Sequence, residues 1–302
     1  MKKTTKKRVR IARGNMDVSL ALMRCALACS VFILLAGALS VSGLGSALPD
    51  WALLIVQTLM TLLCFGFGAH RGLFRADGDL SGKLCRRALS AAQLLHMALA
   101  GVLLAAPMTL LSDLIAAPFA RAGAPHAAAG APPFALFLPV LIKSALLVPV
   151  CEELFFRGYL YAVLREAGLR WAAAISSLLF ALVHGVDAAL LPRFLMGLLL
   201  VALMLRTDSL LAAVIVHAAY NAAIVLLSFS GAGVLFSGLG FASCLMRIVL
   251  CAAFVRALSA AYAARRADAL LEFGRAMTLA QCLTLTLCAA AALYVPVLLY
   301  AL

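Results

Sequence analysis

The stretch Pro149-Val150-Cys151-Glu152-Glu153-Leu154-Phe155-Phe156-Arg157-Gly158 decides how this chain is read. Its approach, from Phe134 to Val150, holds a single charged residue, Lys143. The chain has four glutamates, and two of them stand side by side here. A carboxylate at membrane depth costs at least ~2.5–3.5 kcal/mol on insertion scales, so an adjacent pair with an arginine close behind marks a working site. On a helix, Glu153 and Arg157 share one face and can form an ion pair. Glu152 is turned about 100° from Glu153 and stays available to act on something else. One arginine cannot fully compensate two carboxylates, which ranks neutralisation for packing alone below a chemical role.

Outward from this stretch, the chain is too apolar for a soluble domain. Its 302 residues are 66% hydrophobic with a mean hydropathy of +1.09, where about half apolar is usual. The expected fold is all-α, a polytopic transmembrane helical bundle of about eight to nine spans. Apolar runs lie at Cys25–Gly45, Trp51–Ala69, Ala88–Leu111, Phe134–Phe156, Trp171–Val186, Leu190–Leu205, Leu210–Phe229, Val234–Val255 and Thr278–Leu302. The first follows Lys2, Lys3, Lys6, Lys7, Arg8, Arg10, Arg13 and Arg24. It is long enough to span, and Leu44-Gly45-Ser46-Ala47 is a weak cleavage site, so it reads as a signal anchor.

The net charge of +13 does not point to nucleic acid once the basic residues are placed. The segments 1–24, 70–87, 157–170, 206–209 and 256–275 hold 21 of the 25 lysines and arginines. The opposite loops hold Arg121 and Arg193, while Lys143 and Arg247 fall inside spans. That asymmetry predicts a cytoplasmic N-terminus, with the basic tail fixing topology and touching anionic lipid. Nine cysteines without a CxxC pair predict free, mostly buried thiols. Neither a glycine-rich phosphate loop nor HExxH is present. Four segments result: a basic tail at 1–24, N-terminal transmembrane helices and an extracytoplasmic loop at 25–133, a helical core carrying the glutamate pair at 134–230, and C-terminal helices at 231–302. Within the second, Ala116–Pro133 reads as an irregular connection.

Two further spans carry ionisable groups. Phe180-Ala-Leu-Val-His184 closes the fifth. If helices 4 and 5 are antiparallel and reverse near Gly168, Glu152 lies 16 residues before the turn and His184 16 after it. At ~1.5 Å per residue both sit ~24 Å from the turn and can face each other. In the seventh span, His217 and Asn221 are one turn apart on one face and can aim two donors at one spot. Matching their depth to Glu152 requires the turn bearing Arg165, Glu166 and Arg170 to project past the membrane surface. His96, Gln93, Gln57 and Gln281 lack a same-face partner and read as packing. Lys143 either snorkels outward or balances the second glutamate, and Arg247 has no assignment.

Two glutamates, two histidines and an asparagine converging in a membrane offer a base for water and donors for an oxyanion, the parts that amide hydrolysis needs. The order Glu152-Glu153-x-x-x-Arg157, Phe180-x-x-x-His184, His217-x-x-x-Asn221, with its flanks, resembles the three signature motifs of the CAAX-processing and bacteriocin-processing (CPBP, Abi) intramembrane endopeptidases. The resemblance covers about residues 135–230. It implies Glu152 as the base activating water with His184 assisting, His217 and Asn221 as the oxyanion hole, and Glu153, Arg157 and Phe180 in support. It implies a metal-free glutamate mechanism, with zinc on Glu152, His184 and His217 as the alternative. The expected partners are a membrane-associated or lipidated peptide or protein substrate and the lipid bilayer, not nucleic acid. The expected setting is a bacterial inner membrane, in protein maturation, sorting or bacteriocin-related processing. The competing readings are a proton-coupled transporter and a non-catalytic immunity or scaffold protein.

Overall fold

The computed structural model of the chain describes residues 22–39, 47–74, 87–120, 133–165, 168–230 and 241–262. Among them the regular structure is helical throughout. We number the helices α1 (Leu22–Leu39), α2 (Asp50–Thr61, continuing through a π-helical Leu62–Phe67 into Gly68–Phe74), α3 (Ala91–Ala120) and α4 (Phe134–Leu164). They are followed by α5 (Leu169–Leu182), α6 (Leu190–Thr207), α7 (Leu210–Ser230) and α8 (Phe241–Tyr262). Seven are long and apolar enough to cross a membrane, while α5, with 14 residues, is shorter. The protein is a multi-pass, all-α membrane bundle. The ninth apolar run, most of the basic tail, Arg121, Glu166, Gln281, Cys85, Cys282 and Cys288 lie outside the described residues.

Each helix buries one face and leaves the other to lipid. On α1, Cys25 and Cys29 are buried four residues apart while Leu27, Leu34 and Leu35 are exposed. The free thiols expected from the spacing are seen at Cys25, Cys29, Cys64, Cys151, Cys244 and Cys251. Helix α3 opens with a reciprocal cap: the Ser90 amide donates to Gln93 Oε1 at 3.0 Å and the Gln93 amide to Ser90 Oγ at 3.3 Å. That gives Gln93 a capping role in place of the packing expected of it. The helix also runs on to Ala120, so the beginning of the connection expected to be irregular is helical. It packs against α7 and α8. Gly101 permits the first approach, since a Cβ there would lie 2.5 Å from the Val216 carbonyl oxygen. The second is tied by Arg247 on Asp113 at 2.7 Å, which supplies the partner for Arg247 that its own span lacked.

Helix α4 is the central element, touching α2, α5 and α7. It contains two π-helical segments, Lys143–Leu147 and Leu154–Leu160. The first has a local cause and a consequence. In the π turn the Val148 amide bonds Lys143 O, five residues back, so Ser144 O loses its ordinary donor. The next candidate donor would be residue 149, a proline with no N–H. Ser144 O is thereby orphaned within its own helix, and a buried carbonyl must find a partner elsewhere. Beyond the glutamates, Phe155 and Phe156 stack around Phe65 of α2 at 5.1 and 5.4 Å, and Phe65 reaches Phe32 of α1 at 4.8 Å. This aromatic knot holds α1, α2 and α4 together just below the glutamates.

Candidate functional site

Helix α5 stops where the site begins. Its last bonds are Val183 N to Leu179 O, then a tighter His184 N to Ala181 O, and Gly185 takes φ +98°, a conformation glycine adopts without strain. His184 therefore lies just past the helix rather than on it, as the apolar run had suggested. Tightening the last turn frees Phe180 O from the His184 amide, and the His184 ring takes its place, with Nδ1 at 2.8 Å. A carbonyl only accepts, so Nδ1 carries the proton and Nε2 is left as an acceptor. That nitrogen lies 3.7 Å from Glu152 Oε1. The equal depth expected from an antiparallel α4–α5 pair is what the structure contains.

From α7, His217 enters the same space. Its Nδ1 lies 2.8 Å from Glu153 Oε1, and its Nε2 lies 3.8 Å from Glu152 Oε2. Glu153 Oε1 also accepts from Arg157 Nη1 at 2.8 Å, so the arginine and the imidazole converge on one carboxylate oxygen. The division of labour expected from helical geometry is present: Glu153 pairs with Arg157, and Glu152 faces the two rings. Phe180 ties the group together. The Arg157 guanidinium sits 4.2 Å over its ring, and the rings of Phe156, His184 and His217 meet it at 5.6, 5.0 and 5.6 Å. A cation over an aromatic face is stabilised where water is scarce.

Asn221 is one turn beyond His217, and its amide nitrogen donates to the orphaned Ser144 O at 2.8 Å. In this arrangement each residue has one donor already committed, away from any point they could share. His217 directs its Nδ1 proton to Glu153, and Asn221 directs one of its two amide protons to α4. Glu152, with its side chain 4% exposed, accepts no hydrogen bond from a described residue. The gaps of 3.7 and 3.8 Å to the rings exceed a hydrogen bond. With both rings neutral and each Nδ1 proton directed at Phe180 O or Glu153, the facing atoms, two carboxylate oxygens and two ring nitrogens, are all acceptors. A water, with two donors, is the small molecule that complements such a set.

Glu152, His184, Asn221, Lys143 and Ser144 line a cavity of about 670 Å³ that extends between α1 and α2. Lys143 neither snorkels outward nor pairs with a glutamate; it donates to Gln57 Oε1 across the cavity wall. Five residues separate Lys143 from Val148 and four separate Val148 from Glu152, and the π turn brings all three to the cavity. As to metal, each imidazole faces its own oxygen of Glu152, and no three His, Cys, Asp or Glu side chains are grouped to hold an ion among the described residues. Sequence reasoning missed the Ser144 carbonyl and the Lys143–Gln57 contact. Pro149 after a charged residue in an apolar helix was the available signal.

Residues 134–223 match the Rce1-like family, described as type II CAAX prenyl endopeptidase Rce1-like. That match contains every residue of the constellation. The Rce1-like stretch also covers most of the α4–α7 core, leaving α1–α3 and α8 outside it. A curated relative, UPF0177 protein YxdF of Lactococcus lactis subsp. lactis (strain IL1403), is 34% identical over 88 residues, 28% of this chain and 49% of that protein. The chain thus spans about half the length of the curated relative it matches. No solved structure matches.

Proposed function

We propose that the protein is an intramembrane endopeptidase that hydrolyses a peptide bond of a membrane-associated or lipidated protein or peptide, using water activated by Glu152. The observation that carries this reading is the Glu152 carboxylate set between the Nε2 atoms of His184 and His217 at 3.7 and 3.8 Å, at the floor of a cavity. The Rce1-like match of residues 134–223 supports it.

In this mechanism a water donates one proton to Glu152 and is oriented by His184 Nε2. Its oxygen attacks the amide carbon as the proton passes to Glu152, forming the C–O bond. The oxyanion is held by the second amide proton of Asn221 and by His217, whose Nε2 takes up a proton from solvent before the attack and keeps it through the cycle as an imidazolium that the Glu153 carboxylate stabilises. Glu152 returns its proton to the departing nitrogen as the C–N bond breaks. Arg157 and Phe180 position Glu153 and the rings, and every step runs on groups of this chain without a metal. The basic segments support a cytoplasmic N-terminus, and the setting in this reading is a bacterial inner membrane, in maturation or sorting of other proteins.

Glu152→Gln and His184→Ala test the reading. In a strain carrying either variant at wild-type abundance, comparison of the membrane peptidome with its parent is expected to reveal uncleaved proteins whose products vanish. Identical peptidomes would refute the assignment.

A further inference from the structure

The cavity has a direction that the fold and the charge map together determine. Along the chain, the segments rich in lysine and arginine flank the start of α1, the end of α2 and start of α3, the end of α4 and start of α5, the α6–α7 turn and the end of α8. All of these gather at one end of an alternating bundle. The cavity lies toward the other end. Ala36 and Leu39 belong to the last turn of α1, Leu53 and Gln57 to the first two turns of α2, and His184 to the residues just past α5. On α4, Lys143 and Ser144 precede Glu152, in the half that begins at Phe134.

The opposite direction is closed. Past Glu152, α4 continues toward the basic end with Phe155, Phe156, Tyr159, Leu160 and Leu164, each no more than 2% exposed. Those 12 residues to Leu164 make a packed plug of about 18 Å. On the side toward which the cavity lies, Asp187 of the α5–α6 connection and Arg193 in the first turn of α6 are joined by two hydrogen bonds of 2.8 and 3.1 Å, with Asp187 55% exposed. A wet path to Glu152 therefore runs from the side of Leu39, Leu53 and Lys143 and not through the plug.

Basic loops stay on the cytoplasmic side. We infer that the site receives its substrate from the extracytoplasmic face: a polypeptide already exported and tethered in the membrane, cleaved in the segment that dips into the outer half of the bilayer. This rests on the peptidase reading for its substrate, though not for its geometry. A lipidated tail synthesised and retained in the cytoplasm would meet the closed end.

The test separates the two. Full-length protein carrying Leu53→Cys, and separately Lys143→Cys, is prepared in right-side-out and inside-out membrane vesicles and treated with a membrane-impermeant sulfonated maleimide, with adducts located by mass spectrometry. Cys85, within the basic 70–87 segment, is the built-in marker for the opposite face. The expected result is modification of the introduced cysteines in right-side-out vesicles and its loss in inside-out vesicles, with the reverse for Cys85. Modification of the introduced cysteines only in inside-out vesicles, or equally from both sides, overturns the inference. Two introduced positions guard against one variant failing to fold. A second arm uses the proteins left uncleaved in the Glu152→Gln strain: the affected segments are expected to be digested by protease added outside spheroplasts, and segments resistant there but digested after lysis overturn the substrate assignment. If labelling comes out as expected while no protein is left uncleaved, the cavity's direction stands and the peptidase reading falls.

Discussion

Replacing Arg157 with methionine removes a cation from one of the most enclosed places in the protein. The side chains of Arg157 and Glu153 are both 0% exposed and meet at 2.8 Å. Without the guanidinium, the Glu153 carboxylate keeps only the His217 Nδ1 proton, and a buried charge that loses its partner costs ~3–5 kcal/mol. The guanidinium also covers the Phe180 ring at 4.2 Å. Methionine restores much of that contact through its thioether, so this loss adds ~1 kcal/mol or less. The double variant Glu153→Gln/Arg157→Met removes both charges, and replacing a buried pair by neutral groups is often close to neutral. The single variant is therefore expected to unfold on the order of 10 °C below wild type, and the double variant to recover most of that. Cys25 and Cys29, buried on α1, provide the assay: a dye that fluoresces on reacting with thiols reports their exposure during heating. Cleavage is expected to remain lost in the double variant, because glutamine accepts the His217 proton but does not stabilise an imidazolium. A single variant within ~1 kcal/mol of wild type, or a double variant as unstable as the single, would refute the assignment of Glu153 and Arg157 as one buried unit.

Three other perturbations follow from particular contacts. Gly101→Val drives a Cβ into the Val216 carbonyl, one residue before His217, and should cost ~1–3 kcal/mol in the same thermal assay while reducing cleavage more than that loss explains. Asn221→Ala strips Ser144 O of the donor it has from α7 and should destabilise by ~1–3 kcal/mol, with Asn221→Asp worse because an acceptor then faces an acceptor; an Asn221→Ala protein as stable as wild type would remove the α4 clamp from the account. Gly185→Ala places a side chain at φ +98°, so a loss of ~1–2 kcal/mol and a displaced His184 are expected, read as a fall in turnover of a cleaved reporter at an unchanged level of membrane insertion.

What the amino-acid pattern disclosed and what it concealed divide along a physical line. Interactions within one helix were legible, because the 3.6-residue repeat alone puts Glu153 beside Arg157 and turns Glu152 elsewhere. So was the meeting of Glu152 with His184, since two antiparallel helices joined by a short turn convert sequence distance into depth. Contacts between helices distant in sequence had no such ruler. Gln57 and Lys143 are 86 residues apart, Asp113 and Arg247 are 134 apart, and each looked alone on its own helix. The π turn hid a third kind of information. Counting by 3.6 places Lys143 and Glu152, nine residues apart, on opposite faces of α4, whereas the widened turn before Pro149 brings both to one cavity. The same turn orphans the Ser144 carbonyl and so recruits Asn221, a residue whose spacing from His217 suggested chemistry first and an interhelical hydrogen-bond clamp second. Its second amide proton leaves room for both duties. The stability of Asn221→Ala and its turnover are thus separate measurements, and only a variant that keeps the clamp can isolate the catalytic share. Asn221→Gln is that variant if its longer amide still reaches Ser144 O. It should then unfold near wild type while its second proton, displaced by about the length of one methylene, no longer meets the oxyanion.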